Sequence, residues 1–178
     1  MGAGKSSVGR SLGQRLNWLF EDLDERVEGR ERRTVAEIFR DSGEREFRRA
    51  EHAALRQVLE EMGGGVARIV ALGGGAFVQA DNAKLLQAAG VPVVFLDAPV
   101  DELWRRCCEQ AGESGAERPL LKSFDEFRAL YEARRKHYAR AARRIGTLNR
   151  EVEAVAAEIV KMLRLKEIAV HTQEGESE

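Results

Sequence analysis

The sequence predicts an α/β fold with a three-layer architecture, in which helices cover both faces of a parallel sheet. Three observations lead to this class: short apolar runs alternate with amphipathic segments, a glycine-rich opening leads directly into a helical pattern, and no internal repeat divides the 178 residues. Strands and helices that alternate at this spacing favour parallel pairing, because each helix carries the chain back to the start of the next strand. The chain is 43% hydrophobic and 33% charged, which with its length predicts one domain.

The first half of the chain contains three helix signals and two strand signals. Val8, Leu12 and Leu16 recur every fourth residue and give the opening helix one apolar stripe. Thr34 and Glu37 have the spacing of a capping box, which predicts the start of a second helix. In chain order the predicted elements are a helix over Lys5–Leu16, a strand over 18–20 with acidic residues at its end, a short helix from Thr34, a break at 42–43, a helix that ends at the glycines 63–65, and a strand over 67–72.

The second half continues the alternation and contains a polar loop. Glycine and serine residues between 110 and 117 favour a mobile loop, and we place a lid at about 109–121. Residues 166–178 are rich in acidic side chains, so we expect a disordered tail behind a domain that spans 1–165. The predicted elements are a helix over 81–89, a strand over 91–96, a helix over 99–109, a long helix over 123–143, a weak strand from Ile145 and a final helix over 151–163.

Charge and hydropathy limit the kinds of partner. The 29 basic and 30 acidic residues give a formal net charge of −1, which argues against recruitment of nucleic acid by an overall field. No apolar run approaches the roughly 18 to 20 residues that span a bilayer, and the opening lacks a charged-then-apolar leader. Cys107 and Cys108 are adjacent and lack metal-binding spacing, which fits a reducing compartment. We therefore expect a cytoplasmic monomer without a membrane or nucleic-acid partner.

A phosphate-binding motif stands at the start of the chain. Gly4, Lys5 and Ser6 match the last three positions of the G-x-x-x-x-G-K-[ST] pattern, and a predicted helix follows as that motif requires. In such a loop, backbone N–H groups cradle phosphates, the lysine reaches the β and γ oxygens, and the hydroxyl ligates Mg²⁺. The alternative is a solvated helix start. The candidate nucleotide-binding residues are Gly2, Ala3, Gly4, Lys5, Ser6 and Ser7, with Lys5 also a catalytic candidate and Ser6 a candidate metal ligand.

Two acidic residues follow the first predicted strand. Asp22 and Asp24 are two positions apart, so on a strand their side chains point to the same face. Phosphoryl transfer needs one carboxylate in the Mg²⁺ shell and one that accepts the proton of the acceptor hydroxyl, and this pair can divide those tasks. The alternative is that they cap the helix that follows.

Glycines and arginines further along the chain add candidates for a ligand site. The three glycines at 73–75 follow a predicted strand and let the backbone approach a ligand that any Cβ would push away, although a flexible turn is the alternative. Arg118, at the end of the predicted lid, is placed to reach a transferring phosphoryl group when the lid closes. Arg48 and Arg134 lie on predicted helices, where a single arginine is usually a surface residue.

Seven short motifs occur in the order and spacing of one known family. They are MGAGKSSVGR at the start, Phe20-x-Asp22-x-Asp24, Phe47-Arg48-x-x-Glu51, Ala71-Leu72-Gly73-Gly74-Gly75-Ala76, Phe95-Leu96-Asp97, Arg118-Pro119-Leu120-Leu121, and Glu132-Ala133-Arg134 followed by Tyr138. Together they resemble shikimate kinase over about residues 1–163. The resemblance implies a fold like that of the phosphate-loop nucleoside monophosphate kinases.

The resemblance also implies an activity and the roles of individual residues. The activity is transfer of the γ-phosphoryl group of ATP to the 3-hydroxyl of shikimate, within chorismate and aromatic amino-acid biosynthesis, with Mg²⁺ as cofactor. Asp24 is then the catalytic base, Asp22 belongs to the Mg²⁺ shell through water, and Glu51 orients Arg48. The implied substrate-binding residues are Asp24, Arg48, Gly73, Gly74, Gly75 and Arg134, and the implied nucleotide-binding residues later in the chain are the lid arginine Arg118, also catalytic, and Arg150 on the adenine side.

The opening of the chain departs from the family pattern. The family has an apolar first strand that ends in Gly-Phe, and the first loop glycine would lie two positions before Met1. That strand lies in the middle of the family's sheet, between the strands predicted around Ile69 and Val94. Each buried apolar residue contributes ~1.5 to 3 kcal/mol, so the loss of some five of them would lower the free energy of unfolding by roughly 10 kcal/mol. The whole free energy of unfolding of a domain is only about 5 to 15 kcal/mol. We therefore expect poor folding or weak ATP binding from a chain that starts at Met1. Our hypothesis is that the start codon of this sequence is misplaced.

Two alternatives stay open. One is another small phosphate-loop kinase that resembles gluconate kinase, which shares the early loop, the acidic strand end and a carboxylated acceptor. The other is a catalytically impaired, truncated relative that keeps the fold as a binding or regulatory module. Arg48, the glycines at 73–75 and Arg134 favour a cyclic carboxylated acceptor, whereas the missing strand favours the impaired relative.

Overall fold

The computed structural model describes residues 2–114 and 123–166. No helix within these two ranges has the length and apolar content needed to cross a membrane. In chain order the elements are α1 (Lys5–Leu16), β1 (Leu19–Asp22), α2 (Leu23–Glu31), α3 (Val35–Gly63), β2 (Arg68–Ala71), a 3₁₀ turn (Ala76–Val78), α4 (Ala80–Ala88), β3 (Val94–Asp97), α5 (Val100–Ser114), α6 (Phe124–Tyr138), β4 (Arg143–Gly146) and α7 (Val152–Leu163).

The strands form two parallel pairs. β1 pairs with β2, with Asp22 opposite Ala71, and β3 pairs with β4, with Asp97 opposite Gly146. The predicted α/β class and the parallel pairing are therefore confirmed. The single sheet expected from the sequence is not continuous across the described ranges, because there β2 pairs only with β1 and β3 only with β4.

Two hydrophobic clusters pack the helices against the strands. The first joins α1, α5, α6 and α7 with β3 and β4, and Leu16 and Ile145 are almost fully buried in it. The second joins α2, α3 and α4 and contains the fully buried Leu23 and Ile38. The helices thus pack as two separate groups, as a three-layer arrangement requires.

An apolar cavity separates the two strand pairs. Its volume is about 590 Å³, and its walls include the strands on both sides. The cavity lies between the strands that contain Ile69 and Val94, where the family resemblance implies a further strand.

Several element boundaries differ from the sequence prediction, and β3 begins at Val94 rather than at 91. β1 ends at Asp22, and the chain enters α2 directly at Leu23. α5 continues to Ser114, so helix replaces the first part of the loop predicted from 110. α6 ends at Tyr138 rather than at 143, because the chain turns over 139–142 so that β4 can pair with β3.

Two local signals in α3 are confirmed. Thr34 Oγ1 accepts a hydrogen bond from the Glu37 N–H at 3.2 Å, and Glu37 Oε2 accepts one from the Thr34 N–H at 2.7 Å, which completes the capping box. Gly43 interrupts the helix with φ 78° and ψ 173°, a backbone conformation that residues with a Cβ rarely adopt. The part of α3 after this kink carries Arg48 and Glu51.

Candidate active site

The phosphate-binding motif lies at the N-terminus of α1. Gly2 and Gly4 have φ of 66° and 82°, in the left-handed region that favours glycine. A Cβ on Gly2 would also lie 2.4 Å from the carbonyl oxygen of Leu103 in α5. Within the described part of the chain no side chain caps α1, so its first N–H groups are available to an anion at the positive end of the helix dipole.

Asp22 joins the phosphate loop to α2. Its Oδ2 accepts a hydrogen bond from the Ser6 hydroxyl at 2.9 Å, and its Oδ1 accepts one from the Asp24 N–H at 3.1 Å. The helix-cap alternative is therefore correct for Asp22, although the same carboxylate also contacts the loop. The strand-face argument for Asp24 is wrong, because β1 ends at Asp22 and Asp24 lies in the first turn of α2.

The carboxylate of Asp24 is poorly solvated. Its Oδ1 is buried and has no hydrogen-bond partner among the residues that the structure describes. Burial raises the pKa of Asp24, and the negative charge of Asp22 adds to this effect, whereas Lys5 and Arg48 act in the opposite direction. The raised pKa strengthens the affinity of this carboxylate for a proton, which is the property that a general base needs.

The three glycines after β2, here called the glycine turn, lie directly against these side chains. A Cβ on Gly73 would lie 2.6 Å from Asp24 Oδ1 and 3.2 Å from Glu51 Oε1. A Cβ on Gly75 would lie 2.4 Å from Arg48 Nη1. Because Gly75 has an ordinary φ of −100°, close approach rather than an unusual backbone angle accounts for the absence of a side chain there.

Arg48 and Glu51 form an ion pair beside the glycine turn. Arg48 Nη1 donates to Glu51 Oε2 at 3.0 Å, and Arg48 Nη2 donates to Glu44 at 2.9 Å. Glu51 is 0% exposed, and burial raises the pKa of Glu51 while the charge of Arg48 opposes this shift. The two glutamates fix the guanidinium of Arg48 in a position where it faces the glycine turn.

α6 brings two further side chains to the glycine turn. The Tyr138 hydroxyl donates to the carbonyl oxygen of Gly74, and the Tyr138 ring packs on Phe95 with centroids 5.2 Å apart. Burial raises the pKa of both Tyr138 and Glu51, and the positive charge of Arg134, one turn earlier on α6, opposes both shifts. Sequence reasoning gave no role to Tyr138, although its position four residues after Arg134 places both on one helix face.

Asn82 is a second residue that sequence reasoning missed. It is 0% exposed, and its side-chain amide donates to the carbonyl oxygen of Ala76 at 3.0 Å. Its Oδ1 lies 2.8 Å from Nδ1 of His52. Asn82 therefore anchors the end of the glycine turn to α3, and no pattern in the sequence marks it for this position.

Of the two nucleotide contacts predicted later in the chain, only Arg150 lies within the described residues. Arg118 falls outside the described residues. Arg150 is exposed, donates to the carbonyl oxygen of Gly146 at 3.2 Å and pairs with Glu158 at 2.6 Å. The neighbouring Thr147 is held by a hydrogen bond from its N–H to the Asp97 carbonyl oxygen at 2.8 Å. The segment that carries Arg150 is thus tied to β3 and α7.

Lys5 follows Gly4 at the start of α1, and the Ser6 hydroxyl contacts Asp22 at the end of a parallel strand. These features define an α/β protein of the phosphate-loop class. Comparisons with known proteins narrow this class. The sequence profile of the family described as Shikimate kinase matches residues 1–164. The chain belongs to the shikimate kinase family.

Individual relatives and solved structures agree with this assignment. The shikimate kinases of Symbiobacterium thermophilum and Geobacter metallireducens are 40% and 42% identical to the chain; each alignment covers 92% of it, and 92% and 87% of the respective relative. Shikimate kinase from Acinetobacter baumannii in complex with shikimate superimposes with a TM-score of 0.79 at 30% identity, over 93% of this chain and 91% of that one. The crystal structure of the Aquifex aeolicus shikimate kinase superimposes with a TM-score of 0.77 at 33% identity, over 92% of each chain.

Proposed function

We propose that the protein transfers the γ-phosphoryl group of ATP to the 3-hydroxyl of shikimate, giving shikimate 3-phosphate and ADP. One observation supports this most directly: Asp24 Oδ1, which has no hydrogen-bond partner among the described residues, and the guanidinium of Arg48 both lie against the glycine turn. This places a proton acceptor and a carboxylate-binding cation at one small surface. The product would enter chorismate and aromatic amino-acid biosynthesis.

The acceptor side has the chemistry that a carboxylated triol requires. Arg48 is oriented by Glu51 at 3.0 Å, and Arg134 approaches from α6, so two guanidinium groups can bind one carboxylate. Asp24 binds hydroxyls of the ring. The backbone of the glycine turn lies directly against these groups, since a Cβ on Gly73 would meet Asp24 and a Cβ on Gly75 would meet Arg48.

The donor side is built from the start of α1. The N–H groups of residues 2–7 and the ammonium of Lys5 bind the phosphates of ATP. The Ser6 hydroxyl and Asp22, 2.9 Å apart, fit Mg²⁺, which takes one or two protein oxygens together with substrate phosphates. When bound, Mg²⁺ neutralises charge on the β and γ phosphates. Arg118 and Arg150 complete the nucleotide side in this proposal.

The proposed reaction assigns each proton and charge to a residue. Asp24 takes the proton of the 3-hydroxyl as its oxygen attacks the γ phosphorus, and the bond from that phosphorus to the β-γ bridging oxygen breaks. Lys5 and Arg118 stabilise the negative charge on the transferring group. The protonated Asp24 then loses its proton to solvent after release of the product.

A phosphorylation assay over several acceptors tests the proposal. We expect ADP release with shikimate, little with gluconate, and none when Lys5→Met replaces the phosphate-binding ammonium. Faster phosphorylation of gluconate would instead support the gluconate-kinase alternative. Shikimate binding without ADP release, measured by calorimetry, would support the impaired relative.

The protein is also proposed to act as a cytoplasmic monomer. The formal net charge of −1 supports the proposal that nucleic acid is not a partner. Sedimentation at micromolar concentration tests the oligomeric state, and a stable dimer would contradict the proposal of a monomer.

A further inference from the structure

The glycine turn and the 3₁₀ turn after it form one hydrogen-bonded unit. The Ala76 N–H donates to the carbonyl oxygen of Gly73 at 3.1 Å, and the Val78 N–H donates to that of Gly75 at 3.2 Å. Gly75 and Ala76 are both buried. A contact that holds the carbonyl oxygen of Ala76 therefore also holds the three glycines that face the candidate site.

Asn82 makes such a contact from α4. Its side-chain amide donates to the carbonyl oxygen of Ala76 at 3.0 Å. Because a carbonyl oxygen can only accept a hydrogen bond, this contact determines the orientation of the amide, with Nδ2 on Ala76 and Oδ1 on the side of α3. Asn82 is fully buried, so bulk water does not compete for either group.

His52 reaches the same amide from α3. Its Nδ1 lies 2.8 Å from Oδ1 of Asn82. Since this amide oxygen accepts, the imidazole of His52 carries a proton on Nδ1 and donates it. Two hydrogen bonds in series, from His52 to Asn82 and from Asn82 to Ala76, thus join α3 to the glycine turn, and they are here called the amide bridge. Removal of the first donor leaves a buried amide oxygen without its partner.

The amide bridge starts next to the arginine that faces the glycine turn. Glu51 precedes His52 in α3 and accepts from Arg48 Nη1 at 3.0 Å. A Cβ on Gly75 would lie 2.4 Å from the same Nη1. Arg48 and the glycine turn belong to different elements of the fold. The amide bridge ties these two elements together beside the point where they approach each other.

We infer that His52 and Asn82 are positioning residues for shikimate: the amide bridge sets the distance between the glycine turn and Arg48. Neither residue contacts the substrate itself. The inference rests on the proposed function, which assigns the turn and this arginine to shikimate. Loss of the bridge should weaken shikimate binding and leave ATP binding unchanged, because the bridge joins α3, α4 and the turn and does not include the start of α1.

The test compares three variants of the full chain. His52→Leu keeps a side chain of similar size and removes the donor. His52→Asn places an amide N–H at the same position along the side chain as Nδ1, so a donor is restored. Arg56→Ala, one turn later on α3, is the control, because Arg56 is exposed and pairs with Glu60 at 3.5 Å. Calorimetry measures the dissociation constants for shikimate and for ATP.

We expect His52→Leu to raise the dissociation constant for shikimate about 5-fold, and His52→Asn and Arg56→Ala to change it less than about 2-fold. The dissociation constant for ATP should change less than about 2-fold in all three. A role confined to stability would lower the unfolding temperature without this difference between the two ligands. Equal weakening of both ligands, or the same weakening in His52→Leu and His52→Asn, would overturn the inference.

A double variant tests whether the two residues act as one bridge. Asn82→Ala should weaken shikimate binding at least as much as His52→Leu, and addition of His52→Leu to it should bring less than about 2-fold further weakening. A further 5-fold loss would show that the residues act separately and overturn the inference. A parent chain that does not bind shikimate overturns the proposed function and this inference with it. If the parent chain binds shikimate and His52→Leu binds it equally well, this inference alone is overturned.

Discussion

At the scale of single residues, Asp24 combines poor solvation with a reactive position. Asp24→Asn keeps the shape of the side chain but removes the proton acceptor, so we expect shikimate turnover to fall about 10²-fold or more. Initial-rate kinetics with saturating ATP measure this fall. Unchanged turnover would remove Asp24 from the role of base.

The raised pKa of Asp24 also predicts a pH dependence. The pKa of Asp24 in the folded chain lies above the ordinary value of 3.8. The contribution of protonated Asp24 to the free energy of unfolding is therefore present at low pH and is lost as pH rises through the folded pKa. The unfolding temperature of Asp24→Asn should therefore rise relative to that of the parent chain as the pH increases above about 4. Thermal unfolding across this range tests the sign, and a difference that moves the other way would contradict it.

Gly73 and Gly29 give a matched pair of glycine substitutions. At Gly73 a Cβ would lie 2.6 Å from Asp24 Oδ1, whereas nothing lies within 4 Å of a Cβ on Gly29 in α2. We expect Gly73→Ala to lower kcat/KM for shikimate about 10-fold or more, because it displaces the Asp24 carboxylate. Gly29→Ala should leave kinetics unchanged and stabilise α2 by ~0.5 to 1 kcal/mol. Equal kinetics for both variants would show that close approach at Gly73 does not matter.

Arg134 and Arg128 lie on the same helix but in different surroundings. Arg134 is near Glu51 and Tyr138, whereas Arg128 is exposed and pairs with Glu132 at 3.1 Å. Arg134→Ala should raise the KM for shikimate about 10-fold or more with little change in the KM for ATP, because a charged carboxylate contact is lost. Arg128→Ala serves as the control. An effect of Arg134→Ala confined to ATP would contradict the carboxylate role.

At the scale of elements, α6 supports the glycine turn through one hydroxyl. Tyr138 donates to the Gly74 carbonyl, and Tyr131 on the same helix donates to Asp97 at 2.8 Å, away from the turn. Loss of one hydrogen bond of about 1 kcal/mol corresponds to about 5-fold in affinity. We therefore expect Tyr138→Phe to raise the KM for shikimate about 5-fold with kcat nearly unchanged, and Tyr131→Phe to leave it unchanged. A similar rise for both would indicate a general effect on α6.

Local signals explain which elements the sequence could predict. The Thr34 capping box and the Gly43 break depend on residues a few positions apart, and both are found in the structure. The start of α2 at Leu23 was missed, because no capping residue other than Asp22 separates strand from helix there. The contact between Tyr138 and Gly74 joins residues 64 positions apart, and no periodicity encodes such a pairing.

At the scale of the whole molecule, the cavity predicts an unusual surface property. A folded chain with an open apolar space of about 590 Å³ should bind the dye ANS, which fluoresces in accessible hydrophobic sites. We expect strong ANS fluorescence while near-UV circular dichroism still shows fixed tertiary packing. Weak dye fluorescence from a folded chain would mean that the space is closed in solution.

The packing of α1 on α7 has a consequence for synthesis. Val155 and Ile159 of α7 complete the cluster around α1, and Arg15 pairs with Glu153 at 3.3 Å, 138 positions later. At about 5 to 20 residues per second, the ribosome needs roughly 7 to 28 s to cover that interval. α1 therefore waits for α7 before its apolar stripe is fully covered. During that interval the apolar stripe of α1 is exposed on the nascent chain, and chaperones can bind it.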